Sequence, residues 1–84
     1  MHIAYILQSK NYQSKIYKGY TTNLELRLVR HNKGLVSSTK RHRPWKIIFY
    51  CVFDDKKKAI DFEKYLKSGS GIAFMRKRLI YPLR

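Results

Sequence analysis

Glu63 falls on the wrong side of its helix. With residues 57–67 helical, Ala59, Phe62, Glu63 and Leu66 share one face by the three-and-four spacing, and that face is the apolar one. A carboxylate in an apolar stripe costs free energy unless something pairs with it. The residues alone leave two readings: a metal-binding or catalytic carboxylate, or an acid at the stripe's edge bonded to a nearby Lys or Arg. Four other side chains converge with it in kind. Tyr5 and Tyr17 lie on strand-like runs, and Arg27 and His31 are four apart on one helix face. Each has a plain structural role on offer: core aromatics with a satisfied hydroxyl, an arginine with its charge in solvent, a packed histidine. As a set they supply complementary parts. A carboxylate can hold a hydrated divalent cation, because Mg2+ takes oxygen ligands and keeps waters. A planar guanidinium can stabilise charge growing on a phosphate. A base must stand near an attacking water. A phenol, with its usual pKa near about 10, serves only if a nearby cation or metal lowers that value. Those are the parts of phosphodiester hydrolysis.

The elements that must position these residues can be read along the chain. Ile3–Leu7 is a β-favouring apolar run, and Gln8–Ser14 is a polar loop. Lys15–Thr21 reads as a second strand, so the two predict an antiparallel hairpin. Gly19 inside that second strand signals a close backbone approach or a local bulge. Thr22 or Asn23 can cap a helix over Leu24–Lys33 that Gly34 stops, with Leu24, Leu28, His31 and Leu35 along one stripe. Val36–Pro44 is a basic loop, Trp45 is core, and Lys46–Phe53 is the third strand. Asp54 or Asp55 can cap a helix over Lys56–Lys67. Ser68–Gly71 breaks the chain, as a plain turn or as a cradle of backbone N–H groups for phosphate. Ser70 can cap a last helix from Gly71 to Tyr81, ended by Pro82. The order ββαβαα predicts an α+β domain spanning 1–84, with a three-stranded, mostly antiparallel sheet flanked by helices.

Composition narrows the partner. The chain has 84 residues, 19 Lys plus Arg, 5 acids and a formal charge of +14. Such self-repulsion in so small a body points to a polyanionic partner, DNA first and RNA as the other. The basic residues are spread along the chain rather than gathered on one amphipathic helix, which argues against a membrane surface. Lys40, Arg41 and Arg43 on the basic loop, with Arg76, Lys77 and Arg78 on the last helix, are the expected phosphate contacts. The one cysteine, Cys51, excludes an internal disulfide and a multi-cysteine zinc site and reads as a small buried side chain. No secretory signal is visible, and the longest apolar run, Ile47–Phe53, is too short to span a bilayer. A cytosolic protein is expected.

The two hairpin strands resemble the motifs that name the GIY-YIG nucleases: Ile3-Ala4-Tyr5 for the first and Tyr17-Lys18-Gly19 for the second. Leu24–His31 resembles that family's arginine helix. Arg43-Pro44-Trp45-Lys46 and Phe62–Gly71 are similar to small single-domain members. The resemblance implies hydrolysis of a phosphodiester in DNA. It implies that Tyr5 and Tyr17 orient or deprotonate the attacking water, that Arg27 holds the scissile phosphate, and that His31 is a proton shuttle or phosphate contact. It assigns to Glu63 a divalent metal, Mg2+ with Mn2+ as substitute. The chain departs from the pattern at Ile3, Ala4 and Lys18, and it has no Asn after Asn32, where many larger members use one beyond the metal glutamate. The other readings are a module that keeps the fold and binds nucleic acid without cutting, and a structural protein of a ribonucleoprotein.

Overall fold

Ile3 through Leu7 are all buried, as in a strand covered on both faces. The strand they belong to, β1 (His2–Ser9), takes the centre of the sheet. The computed structural model describes residues 1–80. After β1 come β2 (Ile16–Thr21), α1 (Leu24–Asn32), β3 (Trp45–Phe53), α2 (Lys56–Leu66) and α3 (Gly69–Arg78), with a 3-10 turn at Lys40–His42 inside the basic loop. The expected α+β class and ββαβαα order are the observed ones. The strand order is β2-β1-β3, antiparallel throughout.

Side-chain alternation divides the interior into two layers. Ile3, Tyr5 and Leu7 pack with Trp45, Tyr17, Leu24, Leu28 and Ile47 on the α1 side. Ile6 packs with Leu66, Met75 and Ile80, and with Phe49 and Phe62, on the α2 and α3 side. A register shift between Ile6 and Leu7 adds one residue to β3: Ile6 pairs with Phe49 and Leu7 with Ile47. That bulge lets the consecutive residues Ile48 and Phe49 both join the second layer.

The helix starts follow side-chain oxygens. Asn23 Oδ1 accepts from Leu26 N at 3.1 Å, and Asp55 Oδ1 accepts from Lys57 N at 3.1 Å. The last helix differs from expectation. Ser68, not Ser70, caps it: Ser68 Oγ accepts from Gly71 N at 3.1 Å and donates to Tyr65 O at 2.7 Å. One hydroxyl thus closes α2 at Leu66 and opens α3 at Gly69, a double role Ser70 does not take. The helix ends at Arg78, before the expected Tyr81; Tyr81 and Pro82 lie outside the described residues. Gly34 stops α1 with φ of 78°, and the turn leaves Leu35 exposed instead of continuing the apolar stripe. Cys51 is half-buried on an edge strand rather than in the core. Asn32, at the end of α1, brackets the start of β3: its Oδ1 accepts from Trp45 N at 2.7 Å and its Nδ2 donates to Trp45 O at 3.1 Å.

Candidate active site

The site is organised by a glycine. Tyr5 and Gly19 are paired across β1 and β2. A Cβ on Gly19 would lie 2.6 Å from both Tyr5 Cζ and Tyr5 Oη, and 2.9 Å from Tyr17 Cε2. Only a residue without a side chain lets the Tyr5 phenol lie across the edge strand. This is the close approach expected at Gly19, and what approaches is the ring of a site residue.

The Tyr5 hydroxyl, fully buried, is a junction. Its oxygen is 2.9 Å from His31 Nε2, and Arg27 Nε donates to it at 3.3 Å. Tyr17, half-buried, completes the group through its ring, with centroids 5.0 Å from His31 and 6.2 Å from Tyr5. Four of the five expected site residues therefore meet on the α1 side of the sheet. The spacing of Arg27 and His31 on α1 brings both to the same hydroxyl. Burial pushes the Tyr5 phenol above its ordinary range, against the pull of Arg27. Burial, and secondly the Arg27 charge, lower His31 from 6.5 to about 4. At neutral pH the imidazole is uncharged and carries one N–H. Arg27 itself is held more firmly in its charged form, first by its bond to Tyr5. Its Nε–H is used inside the protein on Tyr5, Tyr17 contributes to the same stabilisation, and the fork has further donors that an anion can engage.

Glu63 belongs to the other layer. Its side chain is 14% exposed and pairs with Lys67 Nζ at 2.5 Å, one turn on. The pairing with a nearby Lys, one of the two readings of the sequence, is thus present in the structure, and no hydrogen bond joins Glu63 to the Tyr5 group. The two layers still feel each other, because the Glu63 charge adds to the forces that raise Tyr5. Lys18, at the centre of the second tyrosine motif, is half-buried near the same carboxylate. Its ammonium is lowered by burial and then by the charges of Lys67 and Arg76. Among the described residues no three His, Cys, Asp or Glu side chains cluster as a metal cage. A lone carboxylate still fits Mg2+, which retains waters and takes further oxygens from a bound phosphate.

The six expected phosphate contacts are all exposed but lie in two places. Lys40, Arg41 and Arg43 are in the loop that enters β3 at Trp45, opposite Ser9 at the end of β1. Arg76, Lys77 and Arg78 form the last turn of α3, across the sheet. The Arg43 guanidinium is stationed over Gly34, where any Cβ would strike it. Sequence reasoning missed Thr39. It is fully buried, with Oγ1 at 2.7 Å from His31 Nδ1 and 3.3 Å from Val36 O, and its own carbonyl accepts from the Trp45 indole at 2.8 Å. A threonine in a run of polar and basic residues gave no signal of burial.

The chain is similar to known proteins. The family model of the GIY-YIG catalytic domain matches residues 1–73. The UPF0213 protein of Clostridium perfringens is 37% identical over 68 residues, covering 80% of this chain and 71% of that protein. Its counterpart in Staphylococcus haemolyticus is 36% identical over 70 residues, covering 82% and 83%. The solution NMR structure of a UPF0213 protein from Bacillus halodurans superposes with a TM-score of 0.56 at 27% identity, over 96% of this chain and 87% of that one.

Proposed function

The chain belongs to the GIY-YIG family, among its small UPF0213 members, and from that premise we propose that it is a metal-dependent endonuclease hydrolysing phosphodiester bonds in DNA. The observation that carries the reading is the meeting of Tyr5, Arg27 and His31 at one hydroxyl beside Tyr17. One partner satisfies a buried phenol, and this one holds a charged arginine as well as a neutral histidine. Arg27, anchored through Nε, grips the scissile phosphate with its Nη groups, where charge develops as the bond breaks. Tyr17 is the phenol that faces the attacking water, since Tyr5 is fully buried and its hydroxyl is already engaged. Tyr5 aims Arg27, and His31, neutral at working pH, holds Tyr5 and can take up a proton. Glu63 would hold the divalent cation, Mg2+ or Mn2+, exchanging Lys67 for it. Bound there, the metal would supply Lewis-acid stabilisation of the phosphate oxygens. The loop cations Lys40, Arg41 and Arg43 and the α3 cations Arg76, Lys77 and Arg78 hold the flanking backbone by neutralising phosphates.

The Glu63–Lys67 pair favours a second reading, a module that keeps the fold and binds nucleic acid without cutting, because the one site carboxylate already has a cation. A cleavage assay decides. Branched, nicked, single-stranded and duplex DNA are incubated with the protein in Mg2+, Mn2+ or EDTA. Cutting of at least one form with metal and none with EDTA is expected. Salt-sensitive binding with no cutting of any form would establish the second reading instead.

A further inference from the structure

The hydrogens around His31 can be assigned by counting. A hydroxyl has one hydrogen to donate. Thr39 Oγ1 reaches Val36 O at 3.3 Å, and a carbonyl can only accept, so the Thr39 hydrogen is used there. The 2.7 Å contact between Thr39 Oγ1 and His31 Nδ1 then needs its hydrogen on the ring. A neutral imidazole with Nδ1–H has a bare Nε2, and that nitrogen accepts the Tyr5 hydroxyl at 2.9 Å. The Tyr5 oxygen is left with lone pairs only, and these accept Arg27 Nε–H at 3.3 Å. Every donor meets an acceptor, in line with the lack of unpartnered buried side-chain polar atoms among the described residues.

The opposite tautomer fails the count at Tyr5. With hydrogen on Nε2, the ring would donate to Tyr5, and the buried Tyr5 hydroxyl would have no acceptor for its own hydrogen among the described residues. Thr39 would also have to turn from Val36 O, which keeps the backbone N–H groups of Thr39 and Lys40, to donate to a bare Nδ1. A buried donor without a partner carries its full desolvation penalty. The His31 Nε2–H and the Arg27 Nε–H would then both donate to one oxygen that also carries its own hydrogen.

We propose that Thr39 is a positioning residue: it fixes His31 as the Nδ1–H tautomer, so that Nε2 takes the Tyr5 hydroxyl and the Tyr5 oxygen is left to aim the Arg27 guanidinium. The inference rests on the nuclease reading for its consequence in rate, and on hydrogen-bond geometry alone for the tautomer. Thr39 also stands at the start of the 3-10 turn that carries Lys40 and Arg41, with no side-chain hydrogen bond to that turn. The residue that orders the proton chain is therefore next to cations proposed to grip the substrate's backbone.

The test has two independent parts. Nitrogen-15 NMR of the His31 ring at pH 7 reads the tautomer directly, with no substrate. The Nδ1–H form is expected in the natural protein and in Thr39→Ser, which keeps the hydroxyl. Thr39→Val keeps the shape and removes the oxygen, and should give a mixture or the Nε2–H form. An Nε2–H ring in the natural protein overturns the proposal, whatever the protein cuts. Single-turnover cleavage on the DNA form found to be cut is the second part. Thr39→Val should lose on the order of tenfold or more in rate, while its DNA affinity stays within about twofold. Thr39→Ser should restore the rate. A Thr39→Val protein with an Nε2–H ring and the natural rate also overturns the proposal. If Thr39→Val does not fold, the spectra of the natural protein and of Thr39→Ser still decide the tautomer. If no DNA is cut at all, the nuclease reading fails while the spectrum still judges the assignment.

Discussion

The two faces of the sheet hold their polar residues in opposite ways. On the α1 side, Tyr5, His31 and Thr39 are sealed from solvent and joined to Arg27 by a chain of hydrogen bonds. On the α2 and α3 side, Glu63, Lys67, Lys18 and Arg76 interact by charge, and the one close contact is an ion pair with a half-exposed lysine. The first arrangement is set before any substrate arrives, because buried hydrogen bonds are costly to rearrange. The second can exchange partners, since a screened ion pair at a partly exposed site contributes little. A site that must keep an arginine aimed and also admit a metal and a phosphate has use for both kinds of wall.

The largest effects should separate the walls by what they change. Glu63→Gln should abolish metal-stimulated cleavage, and Arg27→Ala should lose on the order of a hundredfold or more in single-turnover rate. Glu63→Gln should leave Tm within a few degrees, because only the Lys67 pair is lost. A Glu63→Gln protein that cuts normally and melts early would make the carboxylate a structural partner and end the contrast.

Next in size is a pair of identical substitutions. Tyr5→Phe removes a buried oxygen from His31 and Arg27 together and should cost about 1–3 kcal/mol of stability. In a domain of this size that lowers Tm by roughly 4–8 °C per kcal/mol. Tyr17→Phe should stay within about 0.5 kcal/mol but slow cleavage and alter its pH dependence. Thermal melts and rate–pH profiles of the two variants measure the difference. Equal melts would mean that the Tyr5 hydroxyl is no more built in than that of Tyr17.

The proton chain also predicts a pH effect on stability. In the unfolded chain His31 takes a proton near 6.5, and in the folded protein only near about 4. Between those values the unfolded state binds more protons, so stability rises with pH. The contribution is whole above about pH 6.5 and is lost progressively as pH falls toward 4. Melts at pH 4.5 and 7.5 should differ by less in His31→Gln than in the natural protein. The smallest effect is expected at the exchangeable wall. Lys67→Met should change stability by less than about 1 kcal/mol yet tighten Mn2+ binding, measured by calorimetry, because the Glu63 carboxylate loses its competitor.

The element order was legible in the sequence because it follows from local runs, caps and breakers. The apolar run of β1, a cap at Thr22 or Asn23 and at Asp54 or Asp55, and the shared face of Arg27 and His31 are local patterns; the run and the shared face appear as expected, and the caps are Asn23 and Asp55. Gly19 was readable as a close approach, because a glycine within a strand needs a reason. Thr39 was not readable. Its partner is eight residues back on a different element, and nothing in its neighbours marks it as buried. The Ser68 cap and the Ile6–Leu7 bulge were hidden for a related reason: a hydroxyl serving two helices and an extra residue in a ladder depend on how elements meet. A nearby Lys or Arg was one of the two partners expected for Glu63, and the residue is Lys67, four positions on. The spacing could not say whether that lysine or a metal is the carboxylate's working partner.

The Asn32 amide has a further consequence. Its oxygen and nitrogen engage both backbone groups of Trp45, the first residue of β3, in the manner of one peptide unit of an absent fourth strand. β3 lies at the rim of the sheet, where open N–H and C=O groups invite another chain to extend the ladder. A side chain from α1 thus plugs the rim at its beginning. A strand added at that rim would find its first docking point already taken by the residue that ends α1.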